Sequence, residues 1–131
     1  MVISRTRAPV TALLLIVESD VLVRTAVADY LRECGYTVLE ATNVGEAVAL
    51  LLASADIRVV MVDVGAPDVL DGFALVQWIR RERPDIKVVM TAGIVRTART
   101  AGDLCEAGPL LRKPYHHHEL ERHIRQLLAD R

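Results

Sequence analysis

Val59-Val60-Met61-Val62-Asp63 (VVMVD) is an apolar run that stops at a carboxylate. Consecutive apolar side chains of this kind suit a strand buried on both faces. An isolated carboxylate at the exit of such a strand is costly to place unless it meets a cation or takes part in chemistry. The same ending recurs elsewhere. Leu13, Leu14, Leu15, Ile16 and Val17 run into Glu18; Val88-Val89-Met90 ends at the Thr91 hydroxyl; Leu110-Leu111 leads to Lys113. If these strands are parallel, two carboxylates, a hydroxyl and an ammonium form one cluster, a set suited to a divalent metal and a phosphoryl group.

Working outward from these runs, strand and helix patterns alternate along the chain. After the first strand, Ser19 or Asp20 can cap a helix whose apolar positions Val23, Ala26, Val27, Tyr30, Leu31 and Cys34 follow helical spacing, with Gly35 as its stop. Residues 36–41 form a second strand. Thr42 or Asn43 then caps a helix that buries Val44, Ala47, Val48, Leu51 and Leu52. Past Asp63, Asp71 can cap a third helix that turns Leu75, Val76 and Ile79 inward and halts before Pro84. Residues 87–91 give strand four, 95–107 a short or frayed helix interrupted by Gly102, and Leu110–Arg112 a brief fifth strand. A last helix runs from about His116 to Ala129 and buries Leu120, Ile124, Leu127 and Leu128.

Uniformly apolar strands alternating with amphipathic helices predict an α/β fold: a doubly wound five-stranded parallel sheet with helices on both faces. Ligands of such sheets sit beyond the carboxyl ends of the strands, where the strand order reverses. Glu18, Asp63, Thr91 and Lys113 all belong to that end. Residues 1–11 read as a short extension and 12–131 as one domain.

With 16 basic and 17 acidic residues among 131, and few aromatics, the chain offers no broad basic face or stacking platform for nucleic acid. From Ile94 onward, seven basic against five acidic residues lean slightly toward an acidic partner. The longest apolar run is far below the roughly 20 residues of a membrane span. Arg5 and Arg7 precede an apolar stretch, as in a signal peptide, but that stretch lacks a small-residue cleavage site and runs straight into Glu18-Ser19-Asp20. The expectation is a cytoplasmic protein with no membrane partner, its Cys34 and Cys105 buried or half-buried free thiols.

The segments LLLIVESD, VVMVDVGAPDVLDGFALVQWIR, VVMTAG and LLRKPY stand in the order and at the spacing of a known family. From Ala12 to Leu128 the chain resembles a response-regulator receiver domain of two-component signalling. It is similar to the stand-alone, single-domain type with one extra residue before the Asp71-Gly72 pair. The resemblance implies a flavodoxin-like sheet of order 2-1-3-4-5. It also implies a phosphoacceptor, Asp63, that takes a phosphoryl group from a sensor histidine kinase or a phosphotransfer protein. Mg²⁺ is the implied cofactor, held by Glu18, Asp63 and the backbone carbonyl of Gly65. Lys113 is implied to pair with one phosphoryl oxygen and Thr91 to bond another, while small Ala92 leaves room beside the nucleophile. A cis Lys113–Pro114 peptide is implied to aim the lysine inward. Receivers of this kind promote their own phosphorylation and dephosphorylation but are signalling modules, not metabolic enzymes. Output here is expected through contact with a downstream protein target that the sequence does not name. Formation of a homodimer stays open.

Two departures from the family pattern stand out. Ser19 occupies a position where the family usually has a second acid, leaving a hydroxyl that reaches the metal through water. Leu110 occupies the switch position where an aromatic ring is common, so a signal must travel through loop and helix movement. Both departures motivate the alternative reading, a phosphorylation-independent pseudo-receiver that acts as an interaction module. An aspartyl-phosphate phosphatase usually carries an acid two residues after its nucleophile, where this chain has Gly65. A flavin cofactor would meet an acidic loop at Glu18-Ser19-Asp20. His116-His117-His118 cannot converge on one ion, because helical neighbours point about 100° apart, and reads as an exposed helix start. Trp78, on the flank of the third helix, is expected to pack against a neighbouring helix.

Overall fold

A computed structural model of the chain describes residues 12–64, 69–92 and 110–130. Expectations for residues 1–11, Gly65, residues 95–107 and Cys105, and for the side chain of Leu110, lie outside what it describes. Five parallel strands, β1 (Leu13–Val17), β2 (Thr37–Ala41), β3 (Ile57–Asp63), β4 (Lys87–Ala92) and β5 (Leu110–Arg112), form one sheet of order β2-β1-β3-β4-β5. Among the described residues four helices accompany them: α1 (Val21–Glu33), α2 (Val44–Ala53), α3 (Val69–Glu82) and α4 (His117–Ala129). The order reverses between β1 and β3, as the doubly wound reading requires.

Strand alternation divides the core. Leu15, Val17, Val60, Val62, Val88, Met90 and Ala92 pack with residues of α2 and α3, such as Ala47, Leu51, Leu75 and Ile79. Leu14, Ile16, Val59, Met61, Val89 and Leu111 face the other way and pack with Val27, Leu31, Leu120 and Ile124 of α1 and α4. Buried on both faces, the inner strands β1, β3 and β4 need no polar side, which is why they read as nearly continuous apolar runs.

The helix starts follow local chemistry where caps exist. The Asp20 carboxylate accepts the Leu22 and Val23 N–H groups at 2.9 and 3.3 Å, and Asn43 Oδ1 accepts that of Glu46 at 2.9 Å, so of each candidate pair the second residue is the cap. Gly35, with φ 106°, turns the chain out of α1 through a conformation that glycine adopts freely. Asp71 is not a cap: α3 already begins at Val69. The physical reason lies in packing. A Cβ on Gly72 would stand 2.9 Å from the Asp63 carbonyl oxygen and 3.3 Å from Val64 Cγ1, so the first turn of α3 lies directly on the end of β3.

Gly72→Ala is accordingly expected to destabilise the protein by about 1–2 kcal/mol, since overpacking outweighs the helix propensity gained. A melting curve checks this; a higher melting temperature in the variant would mean that the backbone contact yields.

Trp78 is half-buried and packs against the α2–α3 side of the core. His117 is half-buried with its ring 5.4 Å from that of Tyr30, whereas His116 and His118 are exposed, so the histidine run is only partly the solvent-facing start expected. Half-buried Cys34 closes α1 as a free thiol. Among the described residues, no helix is long and apolar enough to cross a membrane.

Candidate functional site

The sheet register brings the polar strand ends together. Val17 pairs with Val62, which sets Glu18 beside Asp63; Asp63 pairs with Thr91, and Thr91 with Leu111. Side chains alternate along a strand. Glu18 shares the parity of Leu14 and Ile16, Asp63 that of Val59 and Met61, Thr91 that of Val89, and Lys113 that of Leu111. All four therefore fall in one row, on the α1–α4 face at the carboxyl edge of the sheet.

Lys113 Nζ is the hub of this row. It donates to Glu18 Oε1 at 2.8 Å and lies 3.2 Å from Asp63 Oδ2. The Glu18 side chain is only 1% exposed and that of Asp63 6%, while Lys113 keeps 26%. Two carboxylates sharing one ammonium leave the cluster one charge negative. Burial pushes the Glu18 carboxyl above the usual glutamate value, the Lys113 hydrogen bond pulls it back, and the charge of Asp63 pushes it up again, with a net rise. Burial alone would lower Lys113. The hydrogen bond to Glu18 and the charges of Asp63 and Glu18 outweigh that effect and hold the ammonium above the ordinary lysine range.

Backbone and second partners fix these groups. The Asp20 N–H donates to Glu18 Oε2 at 3.1 Å, and Arg24 Nη1 donates to the Glu18 carbonyl at 2.9 Å while its Nε pairs with Glu40 Oε1 at 3.1 Å. Sequence reasoning did not single out Arg24. Its place one turn after Asp20, facing Glu40 of β2, was the available clue. The Lys113 N–H donates to the Ala92 carbonyl at 2.8 Å, and the Lys113–Pro114 bond is cis. Ala92 itself is fully buried in the α2–α3 cluster, so its visible link to the row is that carbonyl. Ser19 is exposed and, with Asp63, Gly72 and Asn43, lines a small pocket next to the acidic pair.

Among the described residues, two buried side-chain atoms lack a hydrogen-bond partner, Thr91 Oγ1 and Tyr115 Oη. Buried hydroxyls are normally paired, so an orphan beside two carboxylates and an ammonium marks a place where an oxygen-bearing group fits. The donors are oxygens of carboxylates, which suit a hard cation that keeps several waters. No three His, Cys, Asp or Glu side chains converge as a metal site among the described residues. In the row, Glu18 and Asp63 are the carboxylates available to such an ion.

No curated protein matches the chain significantly. Among solved structures it is similar to the receiver domain of NtrX from Brucella abortus, at 26% identity over 90% of this chain and 99% of that one, with a TM-score of 0.80. It is also similar to NtrX of the same organism in complex with ATP, at 28% identity and a TM-score of 0.80, covering 90% of this chain and 27% of that one. The chain thus spans about a quarter of that NtrX. TrrA from Thermotoga maritima in complex with Mg²⁺-BeF shares the fold, with a TM-score of 0.77 at 22% identity over 88% of this chain and 98% of that one. The family model of the response regulator receiver domain matches residues 14–125, nearly the whole sheet and its helices. By that match and by its flavodoxin-like 2-1-3-4-5 sheet, the chain belongs to the response regulator receiver domain family.

Proposed function

We propose that the protein is a phosphoacceptor in a two-component phosphorelay, taking a phosphoryl group from a histidine kinase or phosphotransfer protein onto Asp63 and signalling by protein–protein contact. The observation that carries this reading is the Lys113 ammonium shared between Glu18 and Asp63, with the unpaired Thr91 hydroxyl on the adjacent strand.

An Asp63 carboxylate oxygen attacks phosphorus, the bond from phosphorus to the donor histidine nitrogen breaks, and a mixed anhydride forms. A carboxylate and a phosphoryl group are both anionic, so positive charge must be in place beforehand. Mg²⁺, when bound, supplies most of that charge. Glu18, Asp63 and the Gly65 carbonyl would hold it, with Ser19 acting through water. Lys113 moves its hydrogen bond from Glu18 to a phosphoryl oxygen, and Thr91 Oγ1 donates to another, ending its unpaired state. Thr91 and Lys113 thus trade resting partners, or none, for the product.

Ser19 makes the metal site weak by one carboxylate. Ser19→Asp is expected to tighten Mg²⁺ binding about tenfold, the scale of one charge-assisted contact, as read by calorimetric titration. The same titration tests the phosphoacceptor reading: wild type should take up beryllofluoride only in the presence of Mg²⁺. A chain that binds neither, as wild type and as Ser19→Asp alike, is instead the pseudo-receiver that Ser19 and Leu110 suggest.

A further inference from the structure

The second orphaned hydroxyl has no part in the scheme above. Tyr115 lies two residues past Lys113, beyond the end of β5, and its ring packs against the α1–α4 cluster. Tyr115 Oη is buried and makes no hydrogen bond. Burial pushes the phenol well above its ordinary range, and the charges of Glu18 and Asp63 push it further, so the group stays a proton donor. A buried donor with no acceptor is a net cost to the fold, and phenylalanine would fill the same space without that cost. Tyr115 and Lys113 wall the same cavity, about 370 Å³ in volume and also lined by Val23, Val27, Pro114 and His117.

We propose that the Tyr115 hydroxyl is a hydrogen-bond donor held for the loaded site, pairing with an anionic or metal-bound oxygen that arrives at the Glu18–Asp63–Lys113 cluster. The inference rests on the phosphoacceptor reading and extends it. When Lys113 leaves Glu18 for the phosphoryl group, the cluster gains acceptors faster than donors. Thr91 supplies one donor from β4. Tyr115, carried on the segment that holds Lys113, supplies the other. The acceptor is either a phosphoryl oxygen or a water on the cation, and the two differ in when the contact forms.

Tyr115→Phe tests this in the full chain, with three measurements: melting of the metal-free protein, calorimetric titration with Mg²⁺ alone, and titration with beryllofluoride at saturating Mg²⁺. The metal-free variant should melt at or above the wild-type temperature, because an unpaired hydroxyl has gone. Beryllofluoride affinity should fall about tenfold, the scale of a hydrogen bond to a charged group. A loss already present with Mg²⁺ alone assigns the acceptor to metal-bound water, and a loss confined to beryllofluoride assigns it to the phosphoryl oxygen. Wild-type affinities in both titrations would overturn the proposal and leave Tyr115 a packing residue. Failure of the wild-type chain itself to bind beryllofluoride would instead overturn the phosphoacceptor reading beneath it. A readout that needs no variant is the ¹³Cζ resonance of Tyr115 in the wild-type protein. It should shift on loading; a resonance that stays fixed contradicts the proposal.

Discussion

The Asp63→Asn protein is expected to fold, to melt at or above the wild-type temperature, and to lose all uptake of beryllofluoride or a phosphoryl group. Stability survives because Lys113 keeps its 2.8 Å hydrogen bond to Glu18. The cluster meanwhile loses the Asp63 charge that adds to burial in raising the Glu18 carboxyl. On the proposed phosphoacceptor reading function does not survive, because a neutral amide offers no carboxylate oxygen to attack phosphorus and Mg²⁺ would be held by one anionic ligand fewer. Mg²⁺ affinity should fall by at least about tenfold. Melting curves with and without Mg²⁺, alongside phosphorylation by acetyl phosphate, read both effects. An Asp63→Asn chain that still gained a phosphoryl group would place the acceptor elsewhere.

Lys113→Met has the opposite signature. It removes the ammonium that two nearly buried carboxylates share, the kind of disruption that costs about 3–5 kcal/mol when a buried pair loses one member. Lys113 is 26% exposed, so solvent screens part of this, and a loss of about 2 kcal/mol at neutral pH is expected. The pH dependence follows from the directions of the shifts. Lys113 lies above its ordinary 10.5 in the fold, so its contribution is fully present below that value and fades only as pH rises through the folded value. Glu18 lies above its ordinary 4.5, so the fold favours its protonated form. Its ionisation is a penalty that is absent below 4.5 and grows as pH rises through the folded value. Without Lys113 the hydrogen bond that restrains this rise is gone. The deficit of Lys113→Met should therefore be largest at neutral pH and shrink toward pH 4.5. Mg²⁺ should raise the melting temperature of this variant more than that of wild type, because no ammonium competes for the carboxylates. Equal melting temperatures at neutral pH, or equal Mg²⁺ responses, would show that Lys113 does not balance the acidic pair.

The parts of this architecture legible in the sequence are those fixed by strong local or periodic rules. Leu13–Val17 and the run ending at Asp63 could be nothing but strands buried on both faces, and Asp20 and Asn43 carry their capping chemistry in the side chain. Strand order made the ends of β1, β3, β4 and β5 neighbours, which gathers Glu18, Asp63, Thr91 and Lys113. The start of α3 was not legible. Asp71 has the chemistry of a cap, but the helix begins at Val69, and what sets its place is the fit of Gly72 over the Asp63 carbonyl, a contact absent from local sequence. The resting partner of Lys113 was not legible either. Its bond to Glu18 spans 95 positions and depends on which of two acids the ammonium meets first. Nor was the place of the Tyr115 hydroxyl legible, since the residue lies beyond the end of β5. The missing piece was that its hydroxyl would be buried without a partner.

The most direct measurement is the mass of the intact chain after incubation with acetyl phosphate and Mg²⁺, followed by borohydride trapping and peptide mapping. The predicted result is one phosphoryl group per chain, dependent on Mg²⁺ and located on Asp63. No gain in mass with the metal present, or a label on any other residue, would contradict the assignment of Asp63 as the acceptor.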